Sequence, residues 1–161
     1  MKSVAALSLI LLLSIHVFAE VKVDVRLSPA GSFVAETKKV KGYAYKTKSG
    51  VAAENVEVDI TSITTGMSLR DKHLKERLLT KKFPKAKLIK AVGKNGVGKA
   101  SIQIKGIKRT YSGTYKIEGS SLQASFDVNL PDLKINDVKY MGVGVKDVVT
   151  VNITLPLRNK K

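Results

Sequence analysis

The chain has 161 residues, 29 basic against 13 acidic side chains, a formal charge of +16 and no cysteine. That length fits one domain with a real core, and the missing thiols exclude disulfides, thiolate nucleophiles, Cys-based zinc sites and a lipidated N-terminal Cys. Most of the positive charge is Lys, a hydrated point charge that suits diffuse attraction to anionic surfaces better than the bidentate reading of phosphates and bases that Arg performs.

The first nineteen residues read as a secretory leader. Lys2 precedes an uncharged apolar run from Val4 to Val17, and Val17-Phe18-Ala19 supplies small residues at the two positions a signal peptidase requires. The run is shorter than the roughly 20 residues that cross a bilayer, and no later segment approaches that length because Lys recurs every few positions. Cleavage after Ala19 leaves 142 of the 161 residues and, with Lys2 gone, lowers the charge from +16 to +15. The expectation is an exported, periplasmic or secreted protein whose residues 20–161 form one domain.

Val21, Val23, Val25 and Leu27 alternate with Lys22, Asp24 and Arg26, the period-two pattern of a strand. Ser28-Pro29-Ala30-Gly31 is a turn, after which Ser32 to Lys39 and Val40 to Lys46 are expected to pair as a hairpin with Tyr43 and Tyr45 on one face. Val56, Val58 and Ile60 continue the alternation. Leu69 to Thr80 is the one helical segment, with Ser68 as its N-cap, Asp71 three residues on, Leu74 and Leu78 as a narrow apolar stripe, and Pro84 as its limit. It predicts a short lid or plug. Strand patterns resume at Leu88 to Val92, Ala100 to Lys105, Tyr111 to Glu118, Leu122 to Leu130 and Val145 to Leu155. About eight strands separated by Gly- and Asn-rich turns predict an all-β, antiparallel barrel with the helix near one mouth.

Gly93-Lys94-Asn95-Gly96-Val97-Gly98-Lys99 matches the spacing of a phosphate-binding loop, yet Ala100 stands where a magnesium-binding hydroxyl is needed and a strand follows where a helix must. Asn95-Gly96 reads instead as a hairpin turn. Once the leader is removed His73 is the only histidine, which cannot build a multi-His metal site, and its spacing from Glu76 suits an ordinary solvated helix face. No nucleophile elbow is present, so the sequence points to binding rather than catalysis. Lys72, Lys75, Lys81, Lys82, Lys85 and Lys87 fall in the densest basic stretch, which is either a solvated face or a patch that docks on anionic lipid headgroups. Sparse aromatics and scarce Arg argue against nucleic acid.

Val58 to Gly66, ending in Ser62-Ile63-Thr64-Thr65-Gly66, together with Arg70-Asp71-Lys72-His73-Leu74 and Phe83-Pro84, resembles the central signature of the YceI-like family. Ile102 to Arg109 and Leu130 to Leu155 resemble its later strands. The chain departs from the family at Leu27-Ser28-Pro29 and Val34 to Lys41, which lack the family's histidines, and at Leu79-Thr80-Lys81-Lys82-Phe83, which replaces an acidic and aromatic run. The resemblance implies an extended lipocalin-like barrel in the periplasm that holds a long isoprenoid lipid, such as an isoprenoid quinone or polyprenyl lipid, without a catalytic cofactor. Expected lining residues are Phe33, Val56, Val58, Ile60, Leu74, Leu78, Ile102, Ile104, Phe126, Val128, Met141 and Val143, each of which could equally pack a filled core. Arg70 and Asp71 are expected to pair or cap around the helix start. The competing expectation is an exported binder of polyanions or acidic partners that uses the barrel as a scaffold, and the sequence leaves a homodimer open.

Overall fold

The computed structural model describes residues 17–160, so residues 1–16 of the expected leader lie outside the described residues. Its strands are β1 (Glu20–Ser28), β2 (Ser32–Thr37), β3 (Val40–Lys41), β4 (Ala44–Lys46), β5 (Val51–Asp59), β6 (Lys85–Lys94), β7 (Val97–Ile104), β8 (Ile107–Glu118), β9 (Ser121–Asn129), β10 (Lys139–Tyr140), β11 (Val143–Val145) and β12 (Val148–Asn159). A single α-helix, α1 (Ser68–Arg77), falls between β5 and β6.

Among the described residues the twelve strands form one sheet, in which β12, β4, β5, β6, β7, β8 and β9 run in order and close when β9 pairs with β12. The closed ring therefore has seven strands, with the remaining strands extending its wall. The neighbours are antiparallel except for β12 and β4, which pair in parallel from Leu157 to Asn159. One long strand carries this closure: β12 pairs with β9 from Val148 to Pro156, while its other edge is shared between β1 at Thr150 to Thr154 and β4 beyond it.

The tight turns obey local chemistry. Asn95 and Gly96 join β6 to β7 with φ of 52° and 81°, the two left-handed residues a two-residue hairpin needs to match strand twist. The Gly93 to Lys99 segment is thus a β-hairpin, with no helix for a phosphate to cap.

The expected hairpin between Ser32–Lys39 and Val40–Lys46 does not form. β2 pairs instead with β1, setting Phe33, Ala35 and Thr37 opposite Val25, Val23 and Val21, while β3 and β4 both pair with β5. The four-residue turn at Ser28 to Gly31 makes β1 the nearer partner, and Gly42, with φ of 140°, splits the next segment into two short pieces. Gly42 also lies against Val56, where an added Cβ would come within 2.8 Å of Val56 Cγ2. Tyr43 and Tyr45 are each covered by a cation from the C-terminal segment, Arg158 at 4.2 Å and Lys160 at 5.2 Å from the ring centroids.

The helix starts at Ser68 and stops at Arg77, earlier than Thr80. Leu79 adopts φ of 52°, and the Leu79 and Thr80 amides donate to the carbonyls of Glu76 and Lys75, the paired bonds of a Schellman cap that end the helix before Pro84 is reached. Ser68 is the first helical residue rather than the cap, since Met67 occupies that place with no side-chain cap bond.

Candidate ligand-binding tunnel

The barrel interior differs between its two ends. In the half below the helix the inward positions are branched and apolar: Val21, Val23 and Val25 on β1, Leu88 on β6, Ile102 and Ile104 on β7, and Val149, Val151 and Ile153 on β12. They surround a cavity of about 830 Å³, toward the upper end of the roughly 300–1,000 Å³ typical of small-molecule sites. In the opposite half the wall carries Ala44, Ala53, Ala91, Ala100, Gly113 and Ala124, and the space these small residues leave is occupied by the rings of Tyr111 and Tyr115. One half is hollow and the other is nearly filled.

The YceI-like signature positions the lid. Asp59 accepts from the Thr61 amide and hydroxyl, Ser62 Oγ donates to the Asp59 carbonyl at 2.7 Å and lies 2.6 Å from Thr37 Oγ1, and Ile63 is buried in the wall. Thr64 then exchanges backbone bonds with Glu36 of β2 at 2.8 and 2.9 Å. Asp71, in the first turn of α1, accepts from the Thr65 amide and hydroxyl at 2.6 Å each and from the Thr64 hydroxyl at 2.9 Å. The Thr65 hydroxyl bond, with those of the Thr65 amide and Thr64, holds the Asp71 carboxyl below its ordinary pKa despite partial burial. Asp59 is lowered in the same way, chiefly by the Thr61 hydroxyl. This chain of bonds pins the helix across the mouth, where Leu69, Leu74 and Leu78 face the cavity.

Of the expected lining residues, Phe33, Val58, Ile60, Leu74, Leu78, Ile102, Ile104, Phe126, Val128, Met141 and Val143 all border the cavity. Val56 does not. It faces the interior on the same parity as Val58 but is 0 % exposed and packed against Gly42, so it belongs to the solid core; the left-handed Asn55, at φ of 53°, is where the inward parity of β5 passes from Val51 and Ala53 to Val56 and Val58. The cavity wall contributed by β1 and by Val149, Val151 and Ile153 was absent from the expected set, although the same alternation marks those residues. Leu133 and Ile135 also line the cavity from the 3-10 turn Leu130–Leu133 and the segment after it, where no period signals them.

Polar groups gather at the mouth: Arg70, His73, Glu76 and Arg77 from α1, with Lys87 and Lys139. Arg70 stacks on Phe33 with its guanidinium carbon 4.2 Å from the ring centroid, while Asp71 turns to the Thr64–Thr65 turn, so the two neighbours hold different partners. Met67, Leu69 and Met141 form an apolar lip that is 53, 50 and 84 % exposed. Lys72, Lys81, Lys82, Lys85 and Lys87 are exposed and Lys75 is partly buried. Lys85 bonds Glu57 at 2.6 Å, and Lys87 approaches the same carboxylate at 3.9 Å, so part of their charge is already answered. Among the described residues no group of three His, Cys, Asp or Glu side chains could hold a metal, and no helix is long and apolar enough to cross a membrane.

The family profile described as YceI-like domain matches residues 17–157 of this chain. No curated protein sequence matches it. Among solved structures, BcnA of Burkholderia cenocepacia superposes with a TM-score of 0.66 at 13 % identity, covering 85 % of this chain and 94 % of that one. A polyisoprenoid binding domain from Saccharophagus degradans, implicated in plant cell wall breakdown, superposes with a TM-score of 0.57 at 12 % identity, covering 85 % and 91 %. At such identities the superpositions establish a shared fold, and the profile match over nearly the whole described chain establishes kinship: this protein is a member of the YceI-like domain family.

Proposed function

We propose that the protein is exported to the periplasm, where it binds and carries a long-chain isoprenoid-type lipid, such as an isoprenoid quinone or a polyprenyl lipid, in its apolar tunnel. The observation that carries this reading is the cavity of about 830 Å³ whose wall is apolar and whose charged groups stand at one mouth. Each buried methylene contributes about 0.8 kcal/mol, so a tail of about ten buried carbons supplies about 8 kcal/mol, enough to offset much of the 4–15 kcal/mol cost of association. Water exclusion and area supply affinity without a reacting group, which favours a binder over an enzyme. A structurally similar protein being a polyisoprenoid binding domain supports the same ligand class.

Met67 and Leu69 of the lip lead into the segment that carries Lys72, Lys75, Lys81 and Lys82, and Met141 follows Lys139, which supports docking of the mouth on an anionic bilayer. Docked that way, a hydrocarbon tail could pass from membrane to tunnel without crossing water. Native mass spectrometry of protein purified from its own cells tests the reading. A retained apolar ligand with an isoprenoid fragmentation pattern is expected. A consistently empty barrel that retains heparin or lipopolysaccharide would favour the polyanion-binding alternative, to which the exposed lysines also lend support.

A further inference from the structure

Among the described residues Phe126 is the one that borders both the large cavity and a second void of about 70 Å³ at the filled end. Its ring stacks on Tyr111, with centroids 6.1 Å apart and planes 24° from parallel. The local sequence allows this arrangement. Phe126 sits opposite Gly113 on β8, where a Cβ would come 2.8 Å from Phe126 Cβ, and Tyr111 is the diagonal neighbour two residues back. Behind the pair the void is bordered by Ala53, Ala91, Ala100 and Tyr115. Ala100 and Ile102 are successive inward residues of one strand, yet Ile102 borders the large cavity and Ala100 the small void, so the division between compartments falls at the level of the Phe126 ring.

We propose that Phe126, backed by Tyr111, is the floor of the tunnel and sets the longest hydrocarbon tail that gains affinity from burial. This inference rests on the lipid-binding reading and deepens it. The Phe126 ring presents the apolar stop to the cavity, and Tyr111, whose buried hydroxyl has no hydrogen-bond partner among the described residues, backs it from behind. A tail that reaches them can extend only by displacing the stack into a void too small to receive it. Removing the Phe126 ring would join the void to the tunnel and admit roughly one further isoprene unit. Truncating a wall residue nearer the mouth would widen the tunnel without deepening it.

A prenol series from geraniol to solanesol in steps of one isoprene unit tests this directly, the prenols competing for delipidated full-length protein in detergent solution, read by native mass spectrometry. In the wild type each added unit is expected to raise affinity by at least about tenfold until the tail reaches Phe126, and then the curve should flatten. In Phe126→Ala the flattening should move to a longer prenol. Phe126→Leu, which keeps an apolar core side chain, should give a smaller shift in the same direction and covers the case in which the alanine variant folds poorly. Ile102→Phe, which adds a ring just above the floor, should move the flattening to a shorter prenol. An unchanged break point in the Phe126 variants, while all prenols still bind, overturns the floor and leaves lipid binding intact. Failure of the wild type to bind any prenol overturns both.

Discussion

Two inward positions on the same strand separate a hollow barrel from a solid one. Val151 and Leu155 both point inward on β12, but Val151 borders the large cavity whereas Leu155 is 1 % exposed and borders neither void. Lysine at position 155 would place an ammonium group in close-packed hydrocarbon, at several kcal/mol for the ion plus about 1.5–3 kcal/mol for the lost leucine burial. Against a total stability of about 5–15 kcal/mol, Leu155→Lys is expected to unfold the protein or lower its Tm drastically. At position 151 the ammonium would stand in a water-accessible cavity, so the fold loses only the partial burial of a valine, about 1 kcal/mol. A hydrocarbon tail, however, would have to strip water from that charge. A penalty of several kcal/mol corresponds to at least about a thousandfold loss of lipid affinity, since each 1.4 kcal/mol is tenfold. Circular dichroism melts read the first effect, and prenol retention in native mass spectrometry reads the second. The reasoning is wrong if Val151→Lys unfolds like Leu155→Lys, which would make the interior solid at that level, or if it folds and keeps its lipid.

Three further outcomes follow from the mouth and the wall. Replacing Lys72, Lys75, Lys81 and Lys82 by Gln is expected to weaken sedimentation with anionic vesicles by about 1 kcal/mol per cation near the surface, with little effect on neutral vesicles, and the wild-type interaction should fade as salt rises; equal sedimentation of both proteins would remove the basic stretch from the docking surface. Asp71 and Asp59 both have folded-state pKa values held down by hydroxyl and amide donors, so their contribution to lid anchoring is complete above the ordinary carboxylate pKa of about 4 and is lost as pH falls through the lowered folded values. Hydrogen exchange across Ser68–Arg77 should therefore accelerate selectively under acid conditions once intrinsic exchange is corrected, and Asp71→Asn should flatten that dependence; an identical acid response in the variant would assign it elsewhere. Gly93→Ala would set a Cβ 2.6 Å from Tyr115 Cε1 and 3.2 Å from Val51 Cγ2 in the filled half, so overpacking should cost about 1–3 kcal/mol, and an unchanged Tm would show that the Tyr115 ring can yield.

The wall of the tunnel was readable because each strand buries one face: Val58 and Ile60, Ile102 and Ile104, and Phe126 and Val128 recur at period two, and that period is imposed by the pleat itself. The same rule turned Val56 inward correctly, but there it meets Gly42 instead of open space. The pleat tells which face is buried, whereas whether a buried side chain meets another atom or a void is set by packing between distant segments. Leu133 and Ile135 were illegible for a different reason. They line the cavity from a 3-10 turn and the irregular chain after it, where burial is set by what lies opposite rather than by a local repeat.

Alternation, turn residues and composition determined by themselves that this is an all-β chain with one short helix, a basic surface and an Asn-Gly hairpin in place of a nucleotide loop. These are local properties, set by side-chain sterics over a few residues. Only the tertiary structure decided that β2 joins β1, that β12 closes a seven-strand ring through β9 and β4, and that one half of the interior stays open while two tyrosine rings occupy the other. Strand partners and empty volume depend on residues far apart in the chain, and an apolar side chain carries no mark of whether it faces another side chain or a void.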